Sequence, residues 1–151
     1  MSPKPFVMLA GLVAGAALIA APGAFADQVF HTSHAAVHAV AGAPLQSGFV
    51  NDIHSNGVVN SAREEYHLNG AQPNTTYQVQ LLFYEDPSCA GSPLSFTTAV
   101  LTTNGAGNGN ADVTFSAGPP NSPPLQVGIV WQFSANGTAV YTTDCVQVSI
   151  D

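Results

Sequence analysis

The chain has 151 residues, of which two are Lys or Arg and nine are Asp or Glu, for a formal net charge of −7. A surface of that sign repels phosphate backbones and anionic headgroups, which excludes nucleic-acid binding and electrostatic docking to membranes. Charged residues make up only 7% of the chain, against about 25% in ordinary soluble domains, so Asn, Gln, Ser and Thr must carry most of the surface.

The first residues read as a targeting segment. Lys4 precedes an uncharged apolar run from Phe6 to Ala21, followed by Pro22-Gly23 and the triplet Ala24-Phe25-Ala26. This is the n-region, h-region and A-x-A pattern of a secretory signal peptide, expected to span 1–26. The apolar run is 16 residues long, short of the roughly 20 that a spanning helix needs. Cleavage after Ala26 leaves a single domain, 27–151, secreted to the extracellular space or the periplasm. With Lys4 removed, Arg63 is the only cation against nine carboxylates, a net charge of −8.

Immediately after the cut, "HTSHAAVH" places His31, His34 and His38 within eight residues. On a helix these positions share a face, with His34 and His38 about 6 Å apart along the axis, near enough to share a Zn or Cu ion. On a strand the same pair is about 13 Å apart and His31 turns to the other face. The β-branched and aromatic start of "QVFHTSHAAVHAV" favours a first strand, whereas Ala-rich "HAAVHAVA" keeps a helix open.

From there the chain reads as strands and turns. "FVNDIH" and "VVNSAREEYHL" meet at Asn56-Gly57, the dipeptide best suited to a type I′ hairpin turn. His54 and His67 flank that hairpin and can approach each other or an N-terminal His only through tertiary contacts. Adjacent carboxylates, Glu64-Glu65 and Glu85-Asp86, point to opposite faces of a strand, so neither pair is an acid–base couple by itself. A hydrolase would need carboxylates from different elements converging in a pocket.

"TYQVQLLFYE" puts Tyr77, Val79, Leu81 and Phe83 on one face, and its apolar second half suits a central strand. The preceding corner, "GAQPNTTYQV", resembles that of fibronectin type III and related immunoglobulin-like domains, with Ala71, Pro73, Thr75, Tyr77 and Val79 at the alternating positions. The resemblance covers Ala71 to Val79. It implies a small secreted β-sandwich of unassigned function in which the Tyr hydroxyl bonds nearby backbone.

"LSFTTAVLTT" and "ADVTFS" flank "NGAGNGN". That loop lacks the Lys and following helix of a phosphate loop, and the bidentate Glu of a calcium loop, so it reads as a glycine-rich hairpin tip. Pro-rich "AGPPNSPP" should be a crossover without ladder donors. "LQVGIVWQFS" and "TAVYTTDCVQVSI" follow, meeting across Ala135-Asn136-Gly137. Val127, Ile129, Trp131 and Phe133 share one core face, as do Val146, Val148 and Ile150.

Two cysteines in an oxidising compartment imply one disulfide, Cys89 to Cys145. The expected fold is an all-β, antiparallel immunoglobulin-like sandwich of seven or eight strands. No acid, base or nucleophile is assembled in the sequence, so the expected role is a non-catalytic extracellular binding or surface module without a cofactor, its ligand or protein partner unspecified. The alternative is an exported metal-binding protein holding Zn or Cu on His31, His34 and His38.

Overall fold

The computed structural model describes residues 30–55, 60–118 and 125–150. The leader expected at 1–26, the Asn56-Gly57 turn and most of the Pro-rich crossover lie outside the described residues. Nine strands are present among those described: β1 (Phe30–Ala39), β2 (Ser47–Ser55), β3 (Asn60–Asn69), β4 (Thr76–Tyr84), β5 (Leu94–Thr102), β6 (Gly109–Gly118), β7 (Leu125–Ala135), β8 (Thr138–Thr143) and β9 (Val146–Ile150). The count exceeds the expected seven or eight because the last apolar run breaks at Asp144-Cys145. Its two halves, β8 and β9, then pair end to end along β7.

All pairings are antiparallel, and hydrogen-bonded neighbours run β5-β4-β7-β8-β1-β2-β3-β6, with β9 on β7. β1 joins the two halves of the molecule: Phe30–Ala36 pair with β2, and Val37–Ala39 pair with β8. The sheet thereby curls until its end strands, β5 and β6, approach each other, a nearly closed barrel. Those two strands share no ladder, so "NGAGNGN" is not the tip of a paired hairpin. It is the connection between the two ends of the curled sheet.

Period-two alternation put the correct residues inside. Tyr77, Val79, Val127, Trp131 and Phe133 are fully buried and Ile129 and Val148 nearly so, while Gln78 on the same strand is exposed. Ala71 and Tyr77 of the corner are buried as well. Tyr141 of β8 shares the backbone contact expected of Tyr77: its hydroxyl accepts from the Gln72 N–H at 3.2 Å and donates to the Pro44 carbonyl at 2.8 Å, and the same Gln72 backbone acts on the Tyr77 hydroxyl. The Tyr77 hydroxyl sits 3.5 Å from that of Tyr141. A pair of tyrosines, Tyr77 of β4 and Tyr141 of β8, therefore pins the chain entering β4.

The β5–β6 connection is held by its own asparagines. Asn104 Oδ1 accepts from the N–H groups of Ala106 and Asn108 at 2.9 and 3.0 Å. Asn108 Oδ1 accepts from Gly70 N–H at 3.1 Å, and Ala71 N–H donates to the Gly107 carbonyl at 3.0 Å. Gly107 has φ +79° and lies so close to the β3–β4 connection that a Cβ would fall 2.2 Å from the Ala71 carbonyl oxygen. Only glycine fits there. Gly107→Ala is expected to lower the unfolding free energy by about 2–3 kcal/mol, from combined strain and overpacking. Denaturant melts would show this as a lower midpoint, and an unchanged midpoint would refute the packing argument.

The disulfide joins Cys89 to Cys145, with Cα atoms 6.0 Å apart. It ties the β4–β5 connection to the β8–β9 junction.

Candidate functional site

Register across β1, β2, β3 and β6 builds the site row by row on the inner face. Ala35, Val50, Tyr66 and Ala111 form one row, deep in the core. The next row is Ser33, Asp52, Glu64 and Val113, and the one beyond it is His31, His54, Ala62 and Phe115. Two carboxylates thus stand directly opposite each other on neighbouring strands, followed one row on by two histidines. Asp52 and Glu64 are 4% and 2% exposed and His54 is 9% exposed, values reserved for groups with partners. Glu65, as alternation requires, faces outward.

The facing wall is apolar. Leu81, Phe83, Phe96, Ile129, Val148 and Ile150, with Asp52, His54 and Glu64 opposite, line an open cavity of about 470 Å³. A break in the β4–β5 register shapes its edge. Ala99 lies opposite Val79 but Thr97 lies opposite Gln80, leaving Thr98 as the extra residue of a bulge. The bulge reverses which side chains of β5 face inward: Leu101 pairs with Tyr77 beyond it, whereas Phe96 and Leu94 pair with Leu81 and Phe83 before it. Leu94 and Phe96 remain 58% and 52% exposed, an apolar rim. The two end strands, β5 and β6, both contribute to the lining.

Burial is the main force on Glu64, raising its pKa from 4.5 to about 7; the Tyr66 hydroxyl and the Trp131 indole oppose it, and the Asp52 charge adds to it. The Tyr66 hydroxyl contacts Glu64 Oε2 and lies 2.7 Å from Thr98 Oγ1, which in turn donates to the Val79 carbonyl at 3.4 Å. One phenol hydrogen serves one acceptor at a time. With Glu64 protonated, the chain runs Glu64 to Tyr66 to Thr98 to Val79. With Glu64 ionised, Tyr66 turns its hydrogen to the carboxylate. Burial and the adjacent Glu64 charge push the Tyr66 phenol far up, so it stays a donor. Trp131 Nε1, fully buried, faces Glu64 without closing a hydrogen bond at bonding geometry. Asp52 Oδ2 lies 3.5 Å from His54 Nδ1, and the His54 ring stacks on His31 with centroids 5.6 Å apart.

The three histidines of the expected metal motif take separate partners. β1 is a strand, not a helix, so the motif's helical spacing does not apply. His31 lies in the inner row beside His54. His34 is outside, its Nδ1 2.8 Å from Asn51 Oδ1 and its ring against Phe49, which also stacks on His67 at 4.4 Å. His38 Nε2 lies 3.3 Å from Asp144 Oδ2, both side chains exposed. Among the described residues, no group of three or more His, Cys, Asp or Glu is placed to hold a metal ion. His54 and His67, on opposite faces, do not meet; His54 meets His31 instead.

Outside, Arg63 pairs with Glu65 at 3.2 Å and Asp112 at 3.7 Å. These are half-exposed contacts of small energetic weight. The only cation of the expected mature chain therefore faces away from Asp52 and Glu64.

Sequence reasoning passed over Asp52, which has no motif around it. Its significance comes from register: a regular ladder closing on a two-residue turn at Asn56-Gly57 would set it opposite Ser61, and the observed ladder sets it opposite Glu64. No helix among the described residues is long and apolar enough to cross a membrane. No protein-family model matches the chain, and no curated protein matches it at a significant level.

Proposed function

We propose that this is an exported binding protein that takes a small, mostly apolar molecule into the cavity between the two walls of the curled sheet. The cavity carries the reading. Its volume, about 470 Å³, falls within the range of small-molecule sites, and an apolar lining with a few convergent polar groups is their usual composition. The disulfide and the leader pattern support export. The finer immunoglobulin-like description has the buried Tyr77 corner in its favour, and the binding reading does not depend on it.

Hydrolysis is the competing reading, because two carboxyls do converge at one wall. A glycoside would need many donors for its hydroxyls, however, and this lining offers few. Binding without turnover accounts for an apolar cavity more directly.

The test uses an uncharged, environment-sensitive dye, N-phenyl-1-naphthylamine, with fluorescence enhancement as the readout. Saturable binding by the wild type is expected, and Leu81→Trp, which places an indole in the cavity, should weaken it tenfold or more with little loss of thermal stability. Equal binding by a folded Leu81→Trp protein would place the dye elsewhere and remove the support.

A further inference from the structure

Resting on the cavity reading, we infer that the ligand carries a basic head group, a protonated amine, which seats between Asp52 and Glu64 with its apolar body against Leu81, Phe83 and Ile129.

Directly opposed like charges on neighbouring strands destabilise a sheet, and buried charges need a counter-charge. Here both carboxyls line the same cavity. His31, His54 and Tyr66 complete the ionisable groups beside them; β4, β5, β6, β7 and β9 bring no ionisable side chain to the lining among the described residues. Arg63 is committed outside. An ammonium group between the two carboxyls would supply a positive charge that this wall lacks apart from what the imidazoles can carry, and its three donors suit acceptors that converge from two strands.

A second observation concerns the ionised form of Glu64. Tyr66 O–H reaches its carboxyl, and the fully buried Trp131 N–H faces it with no acceptor at bonding geometry. Two donors are thus positioned for a carboxylate that burial alone disfavours. A cation in the cavity draws off the Glu64 proton and lets both donors close on it. The expected mature net charge of −8 favours approach of a cation over an anion of the same shape.

The probes are 4-phenylbutylamine, 4-phenylbutanol and 4-phenylbutyrate, titrated calorimetrically into the wild-type protein at pH 8 and pH 5. The amine is expected to bind at least tenfold more tightly than the alcohol at pH 8, with the butyrate weakest. At pH 5, where Glu64 holds its proton, the preference should shrink at least threefold. In Asp52→Asn/Glu64→Gln the preference disappears while the alcohol still binds, which also shows that the cavity is intact. Should that double variant not fold, Asp52→Asn alone is expected to cut the preference at least threefold. Alcohol binding as tightly as amine in the wild type overturns the head-group inference and leaves the cavity reading standing. Failure of all three probes, together with failure of the dye, overturns both.

Discussion

Reducing the Cys89–Cys145 bond, or replacing both residues with Ala, is expected to lower the melting temperature by on the order of 15 °C. The bond closes a loop across a sequence separation of 56 residues, and on the chain-entropy account a loop of that size is worth about 4 kcal/mol. Native packing sets how far the freed connection can relax. Gly128 of β7 passes so close beneath the bridge that an added Cβ would lie 2.6 Å from Cys89 Sγ and 2.7 Å from the Asp86 carbonyl oxygen. The connection carrying Cys89 is therefore seated on the β7 backbone, and Cys89 holds a left-handed φ of 59°, which costs energy in a non-glycine residue. Once the bond is gone, the Cys89 N–H to Asp86 carbonyl hydrogen bond at 2.9 Å and the packing on Gly128 are left to hold that conformation, and release of its strain offsets part of the loss. Calorimetric scans with and without reductant provide the measurement, and equal melting temperatures would show that the bridge constrains little.

Stability should also fall as pH rises from about 4.5 to about 7, by roughly 3 kcal/mol from Glu64 alone. The sign follows from proton counts. Glu64 has its pKa raised from 4.5 to about 7 in the folded protein, chiefly by burial, so the native state holds the proton through a window in which the unfolded state has released it. Its stabilisation is complete below the unfolded value and lost as pH passes the folded one. Most exposed or paired carboxylates act in the opposite direction, which makes this contribution separable. Glu64→Gln keeps the shape and the neutral hydrogen bonding, and should flatten the difference in denaturant midpoint between pH 5 and pH 8. A wild type and a Glu64→Gln protein with the same pH dependence would refute the burial of this group. Amine binding, by placing a positive charge beside the carboxylate that is ionised above pH 7, should partly restore stability at pH 8.

The second result, unlike the first, depends on nothing conspicuous along the chain. The residues that attracted notice in the sequence, His31, His34 and His38, were conspicuous because they are close in sequence, and a strand separates such residues: one faces in, two face out, and each takes a different partner. The loop of glycines and asparagines drew attention for the same reason, and its polar groups turn out to be spent on its own backbone and on the β3–β4 connection.

What the sequence determined by itself was everything that depends on period two and on single-residue stereochemistry. The alternation of Tyr77 with Val79, and of Val127 through Phe133, marked strands and their buried faces because successive side chains on a strand must point opposite ways. The Ala135-Asn136-Gly137 turn was legible because Asn136 and Gly137 tolerate the positive φ of 51° and 77° that it requires. Cys89 and Cys145 had no other candidate partner. Closure of the sheet, the split between β8 and β9, and the meeting of Asp52 with Glu64 were decided only in three dimensions. They rest on the register of ladders between strands, and shifting one strand by one residue would send Glu64 to solvent and Glu65 into the cavity. No local pattern specifies that choice; it is made by the summed packing of Val50, Tyr66, Trp131 and their neighbours, which have one arrangement in which all are buried.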